Sequence, residues 1–223
     1  MISENLETIR EKLPSGVKLV AVSKFHPLEA VLEAYADGHR VFGENRPQEF
    51  AAKAVQAPQD IEWHFIGHLQ TNKLKMVLPY ASMVQSIDSL HLLEAVDNWG
   101  KANGKVIDIL LEMHLGAEET KQGFHEEEIL DLLFTVVNSD HKRYANVNFC
   151  GLMGMATNTD DEETVRADFA RISDYFEYLK DLFPELESFR ELSIGMSGDW
   201  HLAVEYGATI VRVGTAIFGE RKY

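Results

Sequence analysis

From Val17 to the C-terminus, short apolar runs rich in β-branched residues alternate with longer stretches of helical period, and no other feature restricts the fold as much. A run such as Leu19-Val20-Ala21-Val22 is apolar on both faces and must be covered on both. Helices that return between successive parallel strands provide that cover. The runs place strands over 18–23, 40–42, 62–66, 83–86, 106–114, 148–153, 191–194 and 209–213. About eight such strands close a barrel, so the expected fold is α/β, a single TIM-type (β/α)8 barrel spanning 1–223. Helices are expected over 27–36, 90–101 and 161–182. In the last of these Val165, Phe169, Ile172 and Phe176 recur every three or four residues and make a face for the sheet. A further helix over 3–12 is expected to cover the barrel bottom, with Pro14 and Gly16 turning the chain into the first strand.

Composition narrows the partners. Lys plus Arg number 21 against 36 Asp plus Glu, a net charge of −15, which repels phosphate backbones and anionic lipid; no nucleic acid and no membrane is expected as a partner. Cys150 is the one cysteine, the start of the chain lacks the basic-then-apolar order of a signal peptide, and no apolar run is long enough for a bilayer. These features point to a cytoplasmic location.

Chemistry gathers at two places. Lys24 closes the first apolar run, so its amine stands at the C-terminal mouth of the first strand among hydrophobic walls. Desolvation there lowers an amine pKa, and an unprotonated amine attacks carbonyls to form a Schiff base. Near the other end, Gly195-Met196-Ser197-Gly198-Asp199 follows a predicted strand, and Arg212-Val213-Gly214-Thr215 closes the last one and runs past it. Small residues let backbone N–H groups approach an anion, and Ser and Thr hydroxyls add donors. In barrels the phosphate site is often built after strands seven and eight, which is where these segments fall. An amine at one strand and a phosphate cup across the mouth describe two ends of a phosphorylated aldehyde. A sugar phosphate in a Schiff-base lysine aldolase and pyridoxal 5′-phosphate both answer to that description.

Other constellations read as structure. His64 and His68 form a histidine pair that lacks a helical or cysteine partner set for zinc. Glu118, Glu119 and Lys121 read as a solvated loop, Cys150 as buried packing, and Met153, Met155 and Met196 as packing near the mouth.

The order of motifs is specific. Ala21-Val22-Ser23-Lys24, Phe42-Gly43-Glu44-Asn45 with Gln48-Glu49, the run from Trp63 to Lys73, Gly151-Leu152-Met153, Leu192 to Asp199 and Val211 to Gly219 together resemble the pyridoxal phosphate homeostasis proteins over nearly the whole chain. The Gly116–Gly123 loop matches as well. Those proteins share the barrel of the alanine racemase N-terminal domain. The resemblance implies pyridoxal 5′-phosphate as cofactor, Lys24 as the lysine that holds it as a Schiff base, and Ser197, Gly214 and Thr215 as phosphate contacts. It assigns Arg212 to the pyridine nitrogen and Asn45 to the side of the ring. Two positions depart from the pattern: Arg46-Pro47 stands where an aromatic and a small residue are usual, and His114 where Asn is common. The implied role is storage, buffering or delivery of the cofactor to PLP-dependent apoenzymes, without efficient catalysis. Related racemases add a β-rich domain and a partner's base, whereas this chain reaches Tyr223 just after the eighth strand; a monomer is therefore expected. The alternative function is a racemase-like amino-acid enzyme.

Overall fold

The computed structural model describes residues 2–116, 122–139 and 142–220. Its strands are β1 (Lys18–Val22), β2 (Val41–Glu44), β3 (Glu62–Phe65), β4 (Ala81–Ile87), β5 (Ile107–Met113), β6 (Val147–Gly154), β7 (Glu191–Ser193) and β8 (Ile210–Val213). All neighbours are parallel, and β8 pairs back onto β1 with Val20 opposite Arg212, closing the barrel. The described helices are α1 (Ile2–Lys12), α2 (Leu28–Ala36), α3 (Pro47–Ala54), α4 (Leu74–Val77), α5 (Leu90–Asn103), α6 (Glu126–Asn138), α7 (Glu162–Leu182), α8 (Trp200–Glu205) and α9 (Thr215–Phe218).

Two-residue alternation divides the strand side chains into two buried sets. Val20, Val22, Met83, Leu110, Cys150, Met153 and Ile210 fill the barrel interior. Leu19, Ala21, Phe42, Phe65, Leu111, Val211 and Val213 point outward against Val31, Phe50, Leu93, Leu133, Phe169 and Ile172 of the helices. Gly151, at φ +149°, is needed for β6 to approach β7, because a Cβ there would lie 1.8 Å from the Glu191 carbonyl oxygen.

The helix expected over 3–12 does not lie across the bottom. Asn5 Nδ2 donates to the Ile217 carbonyl, which follows β8 at the C-terminal mouth, and Arg10 donates to the Asp37 carbonyl, which precedes β2 at the other end. Thus α1 runs along the barrel wall between α2 and α9, with Leu6 and Ile9 buried, and completes the helical ring. No helix among the described residues is long and apolar enough to cross a membrane.

Candidate functional site

Lys24 lies two residues beyond Val22, the last residue of β1, and continues the alternation that buries Val20 and Val22 in the interior, so it faces the barrel mouth. It lines a cavity of about 240 Å3 together with Asn45, Ser197, Arg212, Gly214 and Thr215. All six residues singled out in the sequence meet there. Val22, Ile66, Met155, Met196, Gly198 and His26 complete the wall. Met155 and Met196, which the sequence gives as packing near the mouth, are each about two-fifths exposed and line the opening.

At the amine end, the chain turns sharply after Lys24 through Phe25, a bulky residue at φ +66°. The Phe25 N–H donates to both carboxylate oxygens of Glu49 at 3.3 Å. The Arg46 guanidinium lies 4.3 Å over the Phe25 ring, and Pro47 opens α3 at a position that needs no N–H donor. The Arg46-Pro47 departure is therefore accommodated outside the cavity. Beside Lys24, Asn45 Oδ1 is buried with no hydrogen-bond partner. The Asn45 backbone is fixed by Gly67, where a Cβ would fall 2.1 Å from the Asn45 carbonyl oxygen.

At the opposite end, the loops after β7 and β8 are tied together: the Gly214 N–H donates to Ser197 Oγ at 3.0 Å. Because Ser197 Oγ accepts that bond, its own hydrogen remains to be donated. Asp199 Oδ1 accepts from the Met196 N–H at 2.5 Å and shapes the first loop, while the space beside Gly198 is open.

Between the two ends, Arg212 is 4% exposed and pinned in three directions. Its Nη1 donates to the Ser193 carbonyl at 2.7 Å and to Ser193 Oγ at 2.6 Å, and its Nη2 donates to the Gly154 carbonyl at 2.9 Å. Burial lowers its pKa to about 10, against the pull of Glu112 and Asp199, so it stays a cation at neutral pH. The line continues across the interior. Ser193 Oγ donates to Gln85 Oε1 at 2.7 Å, and Gln85 Nε2 meets His64 Nδ1 at 2.7 Å. Burial, then the Lys18 charge, pushes the His64 pKa down to about 3 and keeps the ring neutral. Glu112, 7% exposed, is pushed up to about 7 by burial first and then by the Asp88 charge, with Arg212 pulling the other way.

The remaining sequence candidates lie apart. His64 is inside the barrel on Gln85, while His68 is on the surface, 3.0 Å from Asp88, so the two have separate partners. His114 follows β5 and packs its ring against His125, centroids 5.3 Å apart. Cys150 is buried, and burial with the Asp108 charge pushes its thiol up to about 12, far from a reactive thiolate. Met153 is an interior residue. Glu118, Glu119 and Lys121 lie outside the described residues. The sequence gives no role to Glu44, Glu49, Lys53, Gln85, Ser193 or Glu112, although Glu44 and Glu49 sit within the Phe42-Gly43-Glu44-Asn45 and Gln48-Glu49 motif and Ser193 within the motif from Leu192 to Asp199.

Comparison with known proteins bears on this arrangement. The alanine racemase N-terminal domain family matches residues 1–222. A pyridoxal phosphate homeostasis protein of Aquifex aeolicus is 39% identical over 231 residues, covering 100% of this chain and 96% of that one. PipY of Synechococcus elongatus PCC7942 is 37% identical and covers 98% of this chain and all of that one. It superposes with a TM-score of 0.91 without PLP and 0.87 with PLP bound. Alanine racemase from Bartonella henselae, at 14% identity and a TM-score of 0.70 over 99% of this chain and 58% of its own, shares the fold. A barrel with this mouth, matched end to end by such relatives, belongs to the pyridoxal phosphate homeostasis protein family, within the alanine racemase N-terminal domain family.

Proposed function

We infer that this protein binds pyridoxal 5′-phosphate and serves the homeostasis of that cofactor inside the cell, storing or buffering it and delivering it to PLP-dependent apoenzymes. The observation that carries the reading is the convergence on one cavity of an amine, a pinned cation and the hydroxyls of Ser197 and Thr215. The residues fit the group. Asn45 Oδ1, a buried acceptor with no partner in the protein, calls for a donor from a ligand, and the Ser197 and Thr215 hydroxyls offer donors suited to a phosphate, with the Gly214 N–H holding Ser197 Oγ beside them. When bound, the cofactor supplies an aldehyde carbon open to amine attack and a pyridine ring that withdraws electrons.

Lys24 is the amine that holds it. Arg212 is assigned the ring nitrogen, and its three bonds to Ser193 and Gly154 keep it in place as a cation at neutral pH. A fixed cation disfavours protonation of that nitrogen and weakens the ring as an electron sink, which favours holding the cofactor over racemase-like turnover. The aldolase alternative is not supported by the relatives, whose names concern pyridoxal phosphate homeostasis across the whole length of the chain. A cytosolic setting accords with a lone, buried cysteine.

Purified protein mixed with pyridoxal phosphate is expected to gain a yellow absorbance band, and the desalted complex to restore activity to a PLP-dependent apoenzyme. Absence of the band overturns binding. A band with no transfer overturns delivery.

A further inference from the structure

The backbone around Lys24 is gripped from the outer side of the barrel, by a charged group that the cavity does not contain. Glu44, at the end of β2, is fully buried and Lys53, on α3, is 5% exposed; the two form an ion pair between the sheet and the helix. Glu44 Oε1 accepts from Ser23 Oγ at 2.7 Å, and Lys53 Nζ donates to the Ser23 carbonyl at 2.8 Å. Ser23 immediately precedes Lys24. Phe25 immediately follows it, and its N–H is held by Glu49, also on α3. The backbone on both sides of Lys24 is therefore anchored to the same helix.

Two features separate this cluster from ordinary packing. Glu44 Oε2 is buried without a partner, so burying the pair leaves a lone pair of the carboxylate unsatisfied. Apolar residues of similar volume often stabilise such a site as well as an ion pair or better. The second feature is Phe25 at φ +66°, a conformation that a bulky residue keeps only where its surroundings over-determine it.

We propose that Glu44, Lys53 and Glu49 are positioning residues: a clamp from α3 and β2 that fixes residues 23–25 and aims Lys24 into the cavity. The proposal rests on the reading of Lys24 as the amine that holds the cofactor. Glu44 and Lys53 act through Ser23, and Glu49 through Phe25.

The test compares the full-length parent with the double variant Glu44→Gln/Lys53→Met, which removes both charges and keeps their approximate shapes. Glu49→Gln loosens the other arm alone. Ile129→Ala, a buried truncation on α6, serves as a control for general destabilisation. Three quantities are read: amide hydrogen exchange of the peptide covering 23–27 without cofactor, the dissociation rate of pyridoxal phosphate, and the visible circular dichroism of the bound cofactor.

The double variant is expected to keep a cooperative melt, to exchange faster at 23–27, to release cofactor about tenfold faster or more, and to lose visible dichroism. Glu49→Gln is expected to move all three in the same direction by less, and it carries the test if the double variant does not fold. Ile129→Ala is expected to change the melt and leave the other readouts near parent. Unchanged exchange and release in the clamp variants, or an equal response from Ile129→Ala, would overturn the proposal. If the parent shows no cofactor band, the proposed function fails, and the exchange at 23–27 alone decides whether the clamp exists.

Discussion

Glu112→Gln isolates the electrostatic cost of burying a carboxyl inside the barrel. The Glu112 carboxyl titrates at about 7 in the folded protein against an ordinary value of 4.5, with burial as the main cause and Asp88 next. A carboxyl whose pKa is raised by folding holds its proton more tightly in the native state. Its contribution to stability is therefore fullest below about 4.5 and is lost as pH rises through 7. The interval between the two values corresponds to about 3 kcal/mol once both states are ionised. At 7% exposure the group has little solvent to screen it. Glutamine does not titrate, so urea unfolding of parent and variant from about pH 4.5 to about pH 8 should show the variant gaining about 3 kcal/mol on the parent across that window. His39, lowered to about 4 by burial, and His64, lowered to about 3, move the stability of both chains the opposite way at acid pH. Both chains carry them, so they cancel in the difference. Parallel stability curves, or a gap that opens toward acid pH, would refute the account of Glu112 as a carboxyl kept partly protonated by burial.

Lys24→Ala should stay folded, because a group at the mouth adds little to the core, yet lose the yellow band; borohydride reduction and peptide mapping of the parent should mark Lys24, and a mark on Lys73 instead would displace the assignment. Ser197→Ala and Thr215→Val should each cost about 1–3 kcal/mol of affinity for pyridoxal phosphate by titration, and pyridoxal without its phosphate should bind much more weakly than the phosphate ester; equal affinities would remove the anion cup. Gly67→Ala should weaken binding by about tenfold or more, since its Cβ would meet the Asn45 carbonyl at 2.1 Å and push Asn45 from the cavity wall; calorimetry showing parent affinity would free Asn45 of its role. Single enantiomers of common amino acids, followed for racemisation, transamination and decarboxylation, should turn over well below about 1 s⁻¹, and a faster rate would restore the enzyme reading.

The residues that line the cavity and the residues that hold them differ in how they are encoded, and this divides what the sequence disclosed from what it did not. Lys24, Ser197, Gly214 and Thr215 follow a strand and Arg212 is the penultimate residue of one, and strand ends can be placed once apolar runs are counted. The strand positions came within a few residues of the observed ones for the same reason. The position of α1 was not legible that way, because an amphipathic helix reveals that it has a buried face but not which neighbours cover it. Its seat between α2 and α9 depends on Asn5 reaching Ile217, 212 residues away in sequence. The clamp behind Lys24 is hidden by the same kind of distance. Nothing in the run Pro47–Ala54 marks Lys53 as buried until the fold brings its amine to the Ser23 carbonyl, 30 residues back. Gln85 and Ser193 are polar letters inside apolar strands, where alternation alone does not say that they meet, and they lie 108 residues apart. A pattern of single residues reports which face a side chain takes. Whether a buried charge on that face has a partner depends on which other strand or helix the topology sets opposite, and for Arg212 those partners are supplied by β6 and β7.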